Sequence, residues 1–414
     1  MTSVFMRGRE SDMLNFAEVD QLETPCFVLD AQELGQNFDD FRHALEEKWS
    51  DKSHVAYSVK TNPFPWILSK ARTAGCLAEV VSDEEFNLAL AQGFAPCEIV
   101  FNGPIKSRDW LNFALNNGTY VNLDSRREIE WVKEYAAATS RLVKVGVRAN
   151  IELEKYCPGE TLFEEHHGRF GFSFEGGDFA RVVDELRAFD EGDIVVSGLH
   201  MHATTRSRSN NVYRMLARYA ARIVEECELS LDYVDIGGGF FGGGPLNVGA
   251  YEEYVFTIES ELGKVCDPDK VELIVEPGGA VVCTPGYYVG RVVDVKDILD
   301  ERYVVTELSR INIDHEMKKT SYNLTLHAVS SDTHPSQILC GYTCMDSDRL
   351  CELVDAVELS PGDIVVVNNA GAYSMAFTPN MFIKCPPAVY IKDGDIIEIE
   401  RQPSFVRPPC GIWE

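Results

Sequence analysis

Basic residues are scarce in this chain of 414 residues: 38 lysines and arginines stand against 66 aspartates and glutamates, giving a net charge of −28. So acidic a protein is repelled by polyanions, which argues against nucleic acid or an anionic membrane surface as partner. A local site can still be positive, so an anionic small ligand is not excluded. Long apolar runs are also missing. The longest are of strand length, too short to span a bilayer. The twelve cysteines include no CxxC pair and follow no framework spacing. Nothing at the N-terminus reads as a secretory signal, so they are expected to be reduced thiols in a cytoplasmic protein. In that setting the glycosylation-like triplets at Asn117 and Asn323 are chance matches.

What is present is a repeated strand–helix alternation. Short apolar runs end in polar or glycine-rich tips at 55–60, 78–82, 99–103, 120–125, 144–150, 195–202, 233–239 and 272–278. Segments of helical period separate them, for example Asp83 to Gln92 and Val212 to Glu228. Eight such units are the count of a (β/α)8 TIM-type barrel, and a doubly wound open sheet is the competing reading. The barrel is favoured because motif residues sit at nearly every strand end. After about residue 285 the pattern becomes β-rich without regular helices: Tyr288–Ile298, Tyr303–Leu308, Asp363–Asn368 and Ala388–Ile399. The expected organisation is an N-terminal arm (1–22), a strand region (23–40) joining the β domain, the barrel (41–285) and a C-terminal all-β domain (286–414).

Lys60 closes Val55-Ala-Tyr-Ser-Val-Lys60, a stretch that otherwise reads as a buried strand. An unpaired ammonium is costly to desolvate, so such a lysine is either a snorkelling side chain or one held for covalent chemistry, commonly with a carbonyl. Asp235-Ile-Gly237-Gly238-Gly239 follows an apolar strand and lets backbone N–H groups approach a phosphate, or forms a flexible loop. Glu276-Pro-Gly278-Gly279 places a carboxylate where it could pair with a protonated ring nitrogen. His200 and His202 share one face of a strand, which raises a rival metal-hydrolase reading with Asp235 and Glu276 as further ligands. That rival lacks another histidine at a strand end, since His166 and His167 fall in a loop, and no metal is expected.

Lys60, His202, the glycine triplet, Glu276-Pro-Gly278, Cys344 and Tyr373, in this order, make the chain similar to the fold type III pyridoxal-phosphate decarboxylases. These are the diaminopimelate and ornithine decarboxylase group, with the alanine racemase-like fold. The resemblance runs from about Thr24 to Ile399. It implies Lys60 as the Schiff-base lysine in Tyr57-Ser-Val-Lys60-Thr-Asn62, with Glu79 and Arg148 near the cofactor. It implies His202 stacked on the pyridine ring and Thr205 beside it. Gly237, Gly238, Gly239 and Gly278 would hold the phosphate, with Tyr373, while Glu276 partners the ring nitrogen. Cys344 would come from the neighbouring subunit of a homodimer and act catalytically, as would Lys60, Glu276 and His202.

Departures from the family pattern cluster on substrate recognition. Gly279 stands where an arginine is usual. Met345 replaces the acidic residue after the cysteine, with Asp346 one place on. His202-Ala-Thr-Thr205 replaces the usual His-Ile/Val-Gly-Ser, and Lys318 lies near the place of a carboxylate-gripping arginine. Lys318, Asp346 and Tyr373 are therefore the candidate substrate residues. The expected activity is decarboxylation at the α-carbon of a basic or modified basic amino acid with pyridoxal 5'-phosphate. A racemase on the same scaffold and a catalytically silent, cofactor-binding partner of a true decarboxylase are the alternatives.

Overall fold

The computed structural model describes residues 14–162, 168–243, 250–314, 316–375, 388–394 and 396–400. The expectations placed on residues 1–13, His166, His167 and the end of the chain beyond Glu400 lie outside the described residues. Two compact units divide at Gln32/Glu33 and at Cys283/Thr284, so the first residues and the C-terminal third belong together. No helix among the described residues is long and apolar enough to cross a membrane.

The first unit contains β1 (Cys26–Asp30), which pairs antiparallel with a long later strand, β11, described below. Residues 33–283 form the second unit. Its strands are β2 (His54–Ser58), β3 (Leu77–Val80), β4 (Ile99–Phe101), β5 (Tyr120–Leu123), β6 (Val143–Asn150), the two-residue β7 (Phe172–Ser173), β8 (Ile194–Met201), β9 (Tyr233–Asp235) and β10 (Glu272–Val275). Eight of them run parallel in the order β5-β4-β3-β2-β10-β9-β8-β6, and pairing of β5 with β6 closes the barrel. Among the described residues β7 pairs only with β6. These strands are buried on both faces, which is why they read as short apolar runs without alternation. Ala56, Leu77, Val100, Tyr233 and Ile274 pack together as one core cluster. Gly146 on β6 and Gly198 on β8 leave room for the Tyr233 ring: a Cβ on Gly198 would lie 2.1 Å from Tyr233 Cζ.

Several barrel strands stop earlier than the apolar pattern implies. β2 ends at Ser58 and Lys60 sits on the 3-10 turn Val59–Thr61. β8 ends before His202, β9 before the glycines and β10 before Glu276. The polar and glycine-rich tips leave the ladder and become the loops at the C-terminal mouth, where a barrel carries its chemistry. Helix starts follow capping: Ser82 Oγ accepts the Glu85 N–H at 3.2 Å before the helix Asp83–Ala91, and Ser209 caps Asn210–Glu226 in the same way.

The first unit continues with β11 (Gly286–Ile298), β12 (Glu301–Thr306), β13 (Leu324–His327), β14 (Thr333–Cys340), β15 (Arg349–Val357), β16 (Ile364–Val367), β17 (Val389–Asp393) and β18 (Ile396–Glu400). The sheet runs β15-β14-β12-β11-β1-β17-β18, with β16 also on β11 and β13 on β16. β13, β14 and β15 carry many exposed or half-buried positions, and the apolar pattern predicts no strand there. Cys26, Val28, Tyr287, Val289, Ile364 and Val366 pack with Leu14, Val19 and Leu22 as its core.

Candidate active site

Every one of the eight barrel strands delivers a polar side chain at or just beyond its C-terminal end. In barrel sequence these are Ser58, Glu79, Asn102, Asn122, Arg148, His200, Asp235 and Glu276, and all are buried. Lys60 reaches the ring from its turn: Nζ donates to Glu79 Oε2 at 2.8 Å, and the side chain is 38% exposed while Glu79 is 1% exposed. Ser58 Oγ donates to the same oxygen at 2.6 Å, and Asn102 Nδ2 to Glu79 Oε1 at 3.2 Å. Burial alone would raise the Glu79 pKa. The charge of Lys60 and the three donors outweigh it, so Glu79 is held below the ordinary carboxylate range. At neutral pH it is a carboxylate, paired with the Lys60 ammonium.

The opposite side of the ring behaves differently. Asp235 and Glu276 are hydrogen-bonded to each other. Asp235 Oδ1 accepts the Gly237 N–H at 2.9 Å and Oδ2 accepts Asn122 Nδ2 at 3.3 Å. Asn122 Oδ1 in turn accepts the Tyr233 hydroxyl at 2.8 Å. Asn102 Nδ2 donates to Glu276 Oε1 as well as to Glu79. Burial pushes the Glu276 pKa well up, and the charges of Asp235 and Glu79 push it further. Burial raises Asp235 too, against the bonds it accepts. Among the described residues His200, 2% exposed, has no hydrogen-bond partner on either ring nitrogen, and its Nε2 lies 3.9 Å from Glu276 Oε1. Burial and the nearby cations Arg148 and Lys60 hold it well below the ordinary histidine range, so it is neutral. The ligand atoms of His200, Asp235 and Glu276 lie within 4.8 Å of one another.

Glycines shape the mouth above this ring. Gly237 has φ +73°, and a Cβ there would sit 2.7 Å from His202 Nδ1. A Cβ on Gly238 would be 2.3 Å from the Glu276 carbonyl oxygen, and one on Gly278 2.0 Å from Thr61 Oγ1. Thr61 Oγ1 is itself buried without a hydrogen-bond partner among the described residues. His202 Nδ1 accepts the Gly238 N–H at 3.0 Å, which leaves the proton of the neutral ring on Nε2. Burial, Arg148 and Lys60 push the His202 pKa down to about 3. Arg148 lies 3.5 Å from Asp124 and stacks over the Phe170 ring. A cavity of about 530 Å³ opens beside it, lined in part by Asn150, Phe170, Met201, His202 and Thr204.

The barrel therefore brings together Lys60, Glu79, Arg148, His202, Gly237, Gly238, Gly239, Glu276 and Gly278. Thr205 lies farther along the loop after β8, bridged to Thr161 and accepting the Arg208 N–H at 3.3 Å. Cys344, Asp346, Lys318 and Tyr373 belong to the β unit. Cys344 is exposed in the loop between β14 and β15, and Tyr373 is 42% exposed with φ +53°. The Lys318 ammonium forms an exposed ion pair with Glu316 at 2.7 Å. Sequence reasoning passes over Ser58, Asn102 and Asn122, and takes Asp235 only as a metal ligand. A lone amide or hydroxyl at the tip of an apolar run is the available signal.

These features fit a pyridoxal group: a lysine at the mouth, an acid beneath it and a loop in which a Cβ has no room. Comparison with known proteins agrees. The family model described as "Pyridoxal-dependent decarboxylase, pyridoxal binding domain" matches residues 32–283. Over 405 residues the chain is 27% identical to the probable chloroplastic diaminopimelate decarboxylase of Oryza sativa subsp. japonica, covering 96% of this chain and 80% of that protein. It is 28% identical to the diaminopimelate decarboxylase of Actinosynnema pretiosum subsp. auranticum, covering 90% and 84%. In fold it is similar to the M. jannaschii diaminopimelate decarboxylase in complex with L-lysine, with TM-score 0.79, 22% identity and coverage of 92% and 89%. The Paramecium bursaria Chlorella virus arginine decarboxylase bound to agmatine gives TM-score 0.74 at 18% identity, covering 90% and 96%. With the family model spanning the whole barrel and the ring of strand-end residues inside it, the chain belongs to the pyridoxal-dependent decarboxylase family.

Proposed function

We propose that this protein removes the α-carboxylate of a basic or modified basic amino acid as carbon dioxide, using pyridoxal 5'-phosphate. The observation that carries the reading is the Lys60–Glu79 pair at the barrel mouth, facing a second acid, Glu276, across the same ring. Lys60 would hold the cofactor covalently, Glu276 its ring nitrogen, and His202 one face of the ring. Gly237, Gly238, Gly239 and Gly278 would admit its phosphate, with Tyr373 as a further contact and Arg148 and Thr205 nearby. When bound, the cofactor supplies an electron sink for the pair of electrons left as the carboxylate departs.

The chain's own residues do the rest. Glu79 keeps Lys60 oriented and takes up its charge, so the amine can gain or lose a proton without leaving the ring. Neutral His202, fixed by the Gly238 N–H, offers a flat uncharged face that does not compete for the substrate's carboxylate. Cys344 would return a proton from Sγ to the α-carbon, reaching the site of a partner subunit in a homodimer. Asp346 and Lys318 would read the far end of the substrate. Gly279 and Met345 lack the usual charges, which favours a modified basic amino acid over diaminopimelate itself. The scattered cysteines support a cytoplasmic setting.

The test is a substrate screen with the purified holoenzyme, measuring carbon dioxide release from lysine, ornithine, arginine, diaminopimelate and their N-acyl or carboxyalkyl derivatives. Release from at least one, with visible absorbance that borohydride abolishes and fixes to Lys60, is the expected result. A protein that takes up no pyridoxal phosphate would overturn the reading.

A further inference from the structure

Cys344 and Lys318 sit on two separate loops of the β unit, one between β14 and β15 and the other ahead of β13. One side chain bridges them. Arg310, on the 3-10 turn Arg310–Asn312, is 12% exposed and spreads its guanidinium between the two loops. Nη1 donates to the carbonyls of Ser347 and Arg349, each at 3.4 Å. Nη2 donates to Asp314 Oδ2 at 2.8 Å and to the Lys319 carbonyl at 2.9 Å. Asp314 in turn accepts the backbone N–H groups of Lys318 at 3.1 Å and Lys319 at 2.9 Å, and the Tyr322 hydroxyl at 3.1 Å. Burial alone would raise the Asp314 pKa. Arg310 and these donors outweigh it and hold Asp314 below the ordinary carboxylate range, so the bridge is an ion pair. The Arg310 backbone N–H adds a bond to Asp348 Oδ1 at 2.9 Å, at the end of the Cys344 loop. Two weaker contacts follow the same seam: the Ser347 hydroxyl to Met317 Sδ at 3.5 Å and the Tyr342 hydroxyl to Asn312 Oδ1 at 3.3 Å. A planar fork with donors on two sides suits such a bridge, whereas a lysine is a single point charge and reaches one side only.

We propose that Arg310 is a positioning residue that locks the substrate-reading loop at Lys318 to the proton-returning loop at Cys344, so that the two hold one geometry or lose it together. A substrate end gripped at Lys318 then steadies Cys344 through the same guanidinium. This coupling rests on the roles proposed above for Lys318 and Cys344 and links substrate recognition to proton return.

A double-mutant cycle tests it, read as the rate at which iodoacetamide alkylates Cys344 in the purified protein, by peptide mass spectrometry. Cys97, exposed on the barrel unit, is the internal control. Among the described residues Asp314 bonds to nothing in the Cys344 loop, so Asp314→Asn reaches Cys344 only through Arg310. In the native background this substitution should change the Cys344 rate by about 5- to 10-fold, and in the Arg310→Lys background it should change it no further. Tyr322→Phe, a milder cut at the same carboxylate, takes its place if Asp314→Asn does not fold. Equal effects in both backgrounds, no effect in either, or a parallel change at Cys97 overturns the coupling. Carbon dioxide release by the holoenzyme reads the consequence: Arg310→Lys should raise KM and lower kcat together, by about tenfold each, with cofactor absorbance unchanged. A change in one without the other also overturns it. If no amino acid releases carbon dioxide, the decarboxylase reading falls, while the alkylation cycle still decides whether Arg310 joins the two loops.

Discussion

Both units of the molecule organise a loop or mouth around buried carboxyl groups, and they do so in opposite ways. In the β unit Asp348, 2% exposed, gathers donors: the Ser309 hydroxyl at 2.8 Å, the Arg310 N–H at 2.9 Å and the Thr343 hydroxyl at 2.7 Å. Its own carbonyl accepts the Gly341 N–H, so the loop carrying Cys344 is closed at both ends on one residue. In the barrel, by contrast, Asp235, Glu276 and Glu79 compete for the same two asparagine side chains, and burial raises the pKa of both Asp235 and Glu276. A carboxylate given enough donors becomes scaffold. A carboxyl given another carboxyl as neighbour becomes an acid, and pairs of unequal environment are where proton chemistry collects.

The largest effect separating the two regions is expected at Lys60. Lys60→Ala removes the nucleophile and leaves buried Glu79 without its ammonium partner, so turnover should fall by at least ~10³-fold. Borohydride should then fix no cofactor. Continued fixation at another lysine would show that the barrel ring is not built around Lys60. Gly238→Ala comes next. Its Cβ would meet the Glu276 carbonyl at 2.3 Å, so backbone must shift, and cofactor affinity should weaken by about 10- to 100-fold, equivalent to ~1–3 kcal/mol. Asp348→Ala is the matching cut in the β unit. It strands the Ser309 and Thr343 hydroxyls at a cost of about 1–3 kcal/mol, and turnover should drop roughly tenfold with cofactor absorbance unchanged. Loss of absorbance in that variant would erase the contrast between a cofactor-holding barrel and a loop that serves only catalysis.

The contrast is half visible in the sequence. Lys60, His202, Gly237–Gly239 and Glu276 stand out because charge or glycine at the tip of a buried run has few structural uses. The barrel is legible for a related reason: parallel strands buried on both faces leave uninterrupted apolar runs. Asn102 and Asn122 are not legible, since an amide beside a turn is ordinary; pairing of β3 with β4 brings Asn102 to Glu79, and closure of β5 onto β6 brings Asn122 to Asp235. Asp235 draws notice in the sequence only as a possible metal ligand, because its bond to Glu276 joins adjacent strands, β9 and β10, that a whole helix separates along the chain. β13 to β15 escape the pattern because an exposed sheet face lacks the apolar signal.

The smallest effect is also the most specific to the comparison, because Glu79 and the Asp235–Glu276 pair predict opposite slopes of stability with pH. Glu79 has a lowered pKa in the folded state, so its contribution is present above the ordinary carboxylate range and is lost as pH falls through the folded value. The pair has raised values. The folded protein keeps a proton that the unfolded chain releases, so stability is full below the ordinary range and declines as pH rises through the folded values. Glu79→Gln should therefore flatten the acid limb of the stability profile of the cofactor-free protein. Asp235→Asn should flatten the decline toward neutral pH, by about 1 kcal/mol over that interval, since a tenfold difference in proton affinity between folded and unfolded chain is worth ~1.4 kcal/mol. Urea unfolding at a series of pH values reads both limbs. Parallel profiles for native protein and Asp235→Asn would mean that the pair holds no proton of its own, and the two kinds of carboxyl site would then differ only in what they touch.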